Sequence, residues 1–297
     1  MKIAIAGASG LVGKALIPAL ESEDAQITRL VRAAPKAGEI EWHPNQDEIS
    51  PQVLEGFDVF INLAGENIAG GRWTDEQKRR IRDSRVNGTH LLSEAIAKLA
   101  KKPKVFVCAS ATGIYGDRGD DVLDEQSESG GGFLAGVCRE WEQATEPASK
   151  AGVRVVNLRF GPILAHDGGM LAKLLTPFKM GMGGKVGSGK QFISWVALDD
   201  AVKAIERAIE DESIRGPLNV VSPNPVTNEE LPKTLGHVLN RPTALAMPAF
   251  AARLAFGEMA DEMLLVSQRV VPKKLSAAGY EFQYPELEAA LRKYVRN

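Results

Sequence analysis

The stretch Lys2-Ile3-Ala4-Ile5-Ala6-Gly7-Ala8-Ser9-Gly10-Leu11-Val12-Gly13 decides the fold. Its first half is a short apolar run of small and β-branched residues, the pattern of a buried parallel strand. From Leu11 the apolar positions recur with helical spacing, at Ala15, Leu16, Ala19 and Leu20. Between strand and helix stand three glycines at intervals of three. Gly7 permits a tight turn, Gly10 lets the backbone approach a pyrophosphate with no Cβ in the way, and Gly13 lets the helix pack closely on the strand. The free N–H groups at the helix start suit an anion. The spacing G-x-x-G-x-x-G is one residue longer in its first interval than the common G-x-G-x-x-G, but the strand–glycines–helix order is complete. The segment Gly7, Ala8, Ser9, Gly10, Leu11, Val12 and Gly13 therefore reads as a dinucleotide site.

The second strand, Gln26–Arg32, selects the dinucleotide. An NAD-type site places an acid about twenty residues past the glycines to hold the ribose 2′-OH. Here Arg32 stands 19 residues after Gly13, Arg29 lies three before it, and no acid ends the strand. A guanidinium at this point suits a 2′-phosphate and leaves a plain ribose diol without its acceptor. Val31 and Arg32 thus favour NADP(H) over NAD.

Further strands are expected at Phe57–Gly65, Val105–Ser110, Val153–Arg159 and Pro217–Val221. A long helix is expected over 74–99, with Thr74 as N-cap and a division into two helices near Gly88 as the alternative, and further helices over Leu134–Ser149 and Asp199–Asp211. The Ala64-Gly65 end of the third strand leaves room for the adenine ring or ribose. Residues 33–52 read as a loop or an irregular hairpin around Ile40–Trp42, and 228–297 as largely helical. The alternation implies an α/β, Rossmann-type doubly wound parallel sheet with ligand at the strands' C-terminal ends. Residues 1–160 would form the cofactor half, joined by a strand and helix from about 199–221. Residues 161–297 would form a smaller, mainly helical substrate cap, with a small C-terminal domain from about 240.

Of the 297 residues 44% are hydrophobic and 25% charged, with a formal net charge of −2. That balance and the absence of like-charge blocks give no nucleic-acid signal. No apolar run reaches the roughly 18 residues of a membrane span. Cys108 and Cys138 give no disulfide framework or metal cluster, and read as buried free thiols in a reducing compartment. None of the four histidines pairs at metal-ligand spacing. A cytoplasmic enzyme with a small-molecule substrate fits these bounds.

The residues also carry a resemblance. Gly7/Gly10/Gly13, Asn62-Leu63-Ala64-Gly65, Val86-Asn87-Gly88-Thr89, Tyr115-Gly116 and Leu158–Pro162 resemble an extended short-chain dehydrogenase/reductase. More closely, Asn62–Ile68, Arg72-Trp73, Ser84-Arg85, Gly187–Gln191 with Trp195, and Gln268–Leu275 resemble the atypical YfcH-type epimerase family. That resemblance implies a Rossmann fold binding NADP(H) through the glycine loop, Val31-Arg32, Leu63-Ala64, Gly65, Arg85 and Ile163. It also implies a link, in some relatives, to cell-division control.

The chemistry departs from that pattern. Typical members carry Tyr-x-x-x-Lys on the helix after Tyr-Gly, the lysine lowering the tyrosine pKa. Here the tyrosine position falls on Phe133 or Leu134, the lysine on Val137 or Cys138, and the usual serine near Ala111. Phe and Leu cannot exchange a proton. Substitutes are Tyr115 as proton donor, with Ser110 or Thr112 holding a carbonyl oxygen, and Glu66 as an alternative acid/base. Two functions stay open: an NADPH-dependent oxidoreductase or epimerase, and a regulator or interaction protein that binds the cofactor without turning it over.

Overall fold

The computed structural model describes residues 1–44 and 49–295. The expected loop over 33–52 includes residues 45–48, which lie outside the described residues. The chain begins with β1 (Lys2–Ala6), α1 (Leu11–Glu21), β2 (Gln26–Val31), β3 (Glu39–Glu41), β4 (Val59–Asn62), α2 (Asp75–Lys98) and β5 (Val105–Ala111). It continues through β6 (Val122–Leu123), α3 (Phe133–Gln143), α4 (Glu146–Lys150), β7 (Arg154–Phe160), β8 (Ile163–Leu164), α5 (Gly169–Lys179), β9 (Phe192–Ile193) and β10 (Val196–Ala197). Next come α6 (Leu198–Glu210), β11 (Gly216–Val220), β12 (Val226–Thr227), α7 (Glu230–Leu239), α8 (Ala249–Phe256), β13 (Arg269–Val270), α9 (Lys273–Ala277) and α10 (Leu287–Val295).

Seven strands form one sheet in the order β11-β7-β5-β4-β1-β2-β3, and the pairings from β3 across to β5 are parallel. The order reverses between β1 and β4, the switch point at which ligands bind in such sheets. Ile3 to Ala6 and Val59 to Asn62 are buried on both faces, as the apolar runs require.

Of the expected helices, one stays whole and one divides. The helix after Thr74 runs unbroken through Gly88, and the Thr74 hydroxyl accepts from Gln77 N–H at 3.2 Å as an N-cap. A Cβ at Gly88 would meet the Trp42 ring at 3.4 Å, so this glycine serves close packing and not a break. The single helix expected over Leu134–Ser149 is two, α3 and α4, because Pro147 has no N–H to continue the ladder.

Contact density divides the chain into two units, 1–110 with 137–158 and 202–218, and 111–136 with 159–201 and 219–297. The boundary expected at residue 160 is thus interleaved, since the segments after β5, β7 and β11 leave the first unit. The second unit has its own core of Leu164, Leu171, Phe178, Trp195, Leu231, Leu235, Leu291 and Tyr294. α10 packs into this core, so the last helix finds its partner within the same chain.

Gly7 has φ +81°, and a Cβ there would stand 2.5 Å from the Leu63 carbonyl carbon. Gly7→Ala is expected to destabilise the fold by about 2 kcal/mol or more, read by urea unfolding; an unchanged midpoint would refute the packing role.

Candidate functional site

The first unit builds a cradle at the β1–α1 turn. Gly10 N–H donates to Gly7 O at 3.0 Å and closes the turn. A Cβ on Gly13 would lie 2.5 Å from Gly7 O, so only glycine lets α1 sit this close. Gly10 is different: it is exposed, and its Cβ would meet only Gly7 O, at 3.2 Å. The packing requirement at Gly10 is therefore weak, which leaves room for a ligand's approach. The first ladder bond of α1 is Lys14 N–H to Gly10 O. No side chain caps the helix and no acid stands in its first turn. The N–H groups of Leu11, Val12 and Gly13 precede that bond, so they form the positive end of the helix. Ser9 is exposed, and Ala8, Leu11 and Val12 are half-buried.

Opposite lies the segment leaving β4. Leu63 N–H donates to Ala6 O at 2.9 Å. Asn62, almost fully buried, accepts from Ala64 N–H at 3.1 Å and donates to Thr89 Oγ1 at 2.8 Å. Trp141 Nε1 also donates to Thr89 Oγ1, at 2.9 Å. With two bonds accepted, the Thr89 hydroxyl is left to donate towards Cys108 Sγ at 3.6 Å. This network fixes the Leu63-Ala64 backbone. Burial holds the Cys108 thiol up at about 12, so it stays protonated.

Arg85 reaches the same segment from α2. Its guanidinium donates to Ile81 O at 2.9 Å and Glu66 O at 3.0 Å and lies over the Trp141 ring at 5.1 Å. A Cβ on exposed Gly65 would stand 3.2 Å from its Cζ. Burial lowers the Arg85 pKa from its ordinary high value. Glu66 is half-buried; its backbone N–H donates to Ser84 Oγ at 3.0 Å, and these two backbone bonds hold the residue in place. Val31 ends β2 opposite Glu41, and Arg32 beyond it is exposed with no hydrogen bond or ion pair among the described residues.

The proposed proton-transfer residues fare unequally. Ser110, at the end of β5 and 2% exposed, donates to Glu142 Oε1 at 2.7 Å. Its proton is committed to that carboxylate. In the second unit, Tyr115 is fully buried: its hydroxyl donates to Asn219 Oδ1 at 2.7 Å and accepts from Arg159 Nη1 at 2.9 Å. Burial raises its pKa, against the pull of Arg159. Tyr115 was expected to donate to a substrate; its buried hydroxyl has both its donor and its acceptor role filled within the protein. Thr112 opens the short 3₁₀ turn before Tyr115 and is buried as well. Ile163 lies half-buried on β8, paired with Val196.

The tyrosine position on α3 holds a feature that the sequence gives no sign of. Phe133 and Leu134 N–H donate to Glu262 Oε1 and Oε2, each at 3.0 Å, so a carboxylate from far along the chain caps the helix. Asn62, Thr89 and Trp141 were likewise missed as site-shaping residues, although two of them stand inside quoted motifs. Their signal was a buried-type environment around a polar side chain. Among the described residues no group of three His, Cys, Asp or Glu could hold a metal ion. No helix among them is long and apolar enough to cross a membrane.

Residues 3–220 match the model of the NAD dependent epimerase/dehydratase family, and 247–294 match a domain of unknown function, DUF1731. The epimerase family protein Mb2239 of Mycobacterium bovis is 44% identical over 97% of this chain and 96% of its own length. The crystal structure of human epimerase family protein SDR39U1 with NADPH superposes with a TM-score of 0.91 at 31% identity, covering 100% of both chains. A nucleoside-diphosphate sugar epimerase from Corynebacterium glutamicum matches at 41% identity and TM-score 0.82, over 98% of this chain but 57% of that one. With the glycine cradle at the sheet's switch point and the family model spanning most of the chain, this protein belongs to the NAD dependent epimerase/dehydratase family, as an atypical short-chain dehydrogenase/reductase.

Proposed function

We propose that the protein binds NADP(H) and acts as an oxidoreductase or epimerase-like enzyme on a small carbonyl or sugar-nucleotide-like substrate. The observation that carries the cofactor preference is Arg32, exposed at the end of β2 with its charge unanswered and no acid beside it in sequence. The residues fit the group: the α1 N–H groups and Gly10 would hold the pyrophosphate, Arg32 the 2′-phosphate, and Leu63-Ala64 the adenosine side. Arg85 already spends two of its donors on carbonyls, so its part is to fix the 63–66 segment and present its remaining N–H groups as a second cation. Ile163 is carried over from the family resemblance alone. The bound nicotinamide supplies or accepts a hydride. The SDR39U1 structure with NADPH supports this reading.

Proton transfer is assigned to Glu66. Its carboxyl has no hydrogen bond or ion pair among the described residues, whereas Ser110 and Tyr115 have theirs filled. Thr112 is buried and is proposed only to position a carbonyl oxygen through its turn. A second reading, a cofactor-binding regulator without turnover, is favoured by two observations: the usual tyrosine position falls on Phe133 or Leu134, and Tyr115 is sealed inside.

Arg32→Ala should weaken NADPH binding about tenfold or more while leaving NADH within about twofold, by calorimetric titration; equal losses would remove the 2′-phosphate role. Tyr115→Phe removes the hydroxyl that donates to Asn219 Oδ1 and accepts from Arg159 Nη1, and should cost about 1–3 kcal/mol of stability with NADPH affinity intact; a variant as stable as the parent would refute the anchor. Glu66→Gln should abolish carbonyl-dependent NADPH oxidation at 340 nm. Full turnover in that variant would overturn the assignment, and tight NADPH binding with no turnover across a broad carbonyl panel would favour the regulator.

A further inference from the structure

In the second unit, α8 departs from the way this chain hides its apolar residues. Its sequence Ala-Phe-Ala-Ala-Arg-Leu-Ala-Phe is apolar at every position but one, the pattern of a helix enclosed on all sides. Yet only Ala252 is buried, while Phe250 and Leu254, one helical turn apart, are 72% and 77% exposed. Met180, Met182, Leu245 and Met247 extend this exposed apolar surface. Backbone hydrogen bonds set the segments that carry them side by side. Leu245 N–H donates to Gly183 O at 3.3 Å, Met247 N–H to Lys185 O at 2.8 Å, and Gly187 N–H to Met247 O at 2.8 Å. Arg241 Nε donates to Lys179 O at 2.9 Å. Met180 and Met182 thus stand beside the run 241–247, which leads directly into α8.

Size and charge both point to a second copy of the chain as the cover. Together the six side chains leave roughly 600 Å² of surface open, at the top of the range that a monomer shows as a single apolar patch. A dimer interface of standard size takes about 800 Å² from each partner, of which about three fifths is apolar. This face therefore supplies the apolar part of one such interface. The charges at its two ends are opposite. Lys179 and Arg241 stand where the run 241–247 begins, and Glu258 and Asp261 follow α8. Arg253 pairs with Asp261 at 2.9 Å, and with it counted the α8 end still keeps a formal negative charge. A twofold axis crossing the face sets the basic end of each copy against the acidic end of the other. An anionic lipid surface would instead meet the acidic end with repulsion.

We propose that this face is a homodimer interface. Phe250 and Leu254 of each chain form its apolar centre, and Met180, Met182, Leu245 and Met247 surround them. The proposal goes beyond the cofactor and enzyme readings and depends on neither.

The test is sedimentation velocity of the full chain across the micromolar range. The parent chain is expected to sediment as a dimer. Phe250→Glu and Leu254→Glu should each weaken association about thirtyfold or more, because each places a charge in the desolvated centre. Both side chains face solvent in the single chain, so the thermal midpoint of the separated variants should stay that of the isolated subunit. Met182→Glu, on a different segment, should act in the same direction and keeps the test independent of α8. Lys179→Glu should also weaken the dimer, and Glu258→Lys added to it should restore association by exchanging the charges at the two ends. A parent chain that stays monomeric throughout would overturn the proposal. So would a dimer that persists unchanged in Phe250→Glu, Leu254→Glu and Met182→Glu, which would place the interface elsewhere. A monomeric parent that pellets with phosphatidylserine vesicles, and loses that property in Leu254→Glu, would assign the face to a lipid surface instead.

Discussion

The approach of two backbones, with no side chain between them, is the constraint on which the first unit depends. The turn after β1 passes so close to Leu63 that a methyl group at Gly7 would overlap its carbonyl carbon, and α1 closes over that turn at Gly13. Close contact brings the positive end of a helix to the C-terminal edge of the sheet at its switch point. The same contact leaves the N–H groups of Leu11, Val12 and Gly13 ahead of the first ladder bond. A binding cradle therefore arises directly from the way the strand and helix pack.

The opposite wall is set by hydrogen bonding in a dry interior. Asn62, Thr89 and Trp141 come from three different elements, and each buried polar group has a partner. Removing the Thr89 hydroxyl would leave two buried donors unanswered, at about 1–3 kcal/mol each. The network gives Ala64 N–H a fixed acceptor and so fixes the backbone of the cradle's opposite wall. Arg85 continues this rigid wall, its fork shared between Ile81 and Glu66 carbonyls and its face on the Trp141 ring.

In the second unit, polar groups usually associated with chemistry have structural duties. Tyr115 is tied to Asn219 and Arg159, and Glu262 caps the first turn of α3 with both carboxylate oxygens.

The sequence alone determined the parallel sheet, the glycine turn, the arginine at the end of β2 and the family, because each rests on local spacing: apolar runs, three glycines, a strand end. It also has no tyrosine at Phe133 or Leu134, where the family resemblance puts the usual one, since absence of a hydroxyl is legible in the letters. It did not fix the surroundings of Tyr115, because whether a tyrosine hydroxyl meets solvent or a buried asparagine 104 residues away depends on packing. The split between α3 and α4 was legible in Pro147, but the packing of Gly88 on Trp42 was not. Tertiary structure alone decided the interleaved units, the Asn62–Thr89–Trp141 wall and the Glu262 cap. Each joins residues far apart in the chain, and no local periodicity records which distant partner a polar side chain will find when the core closes.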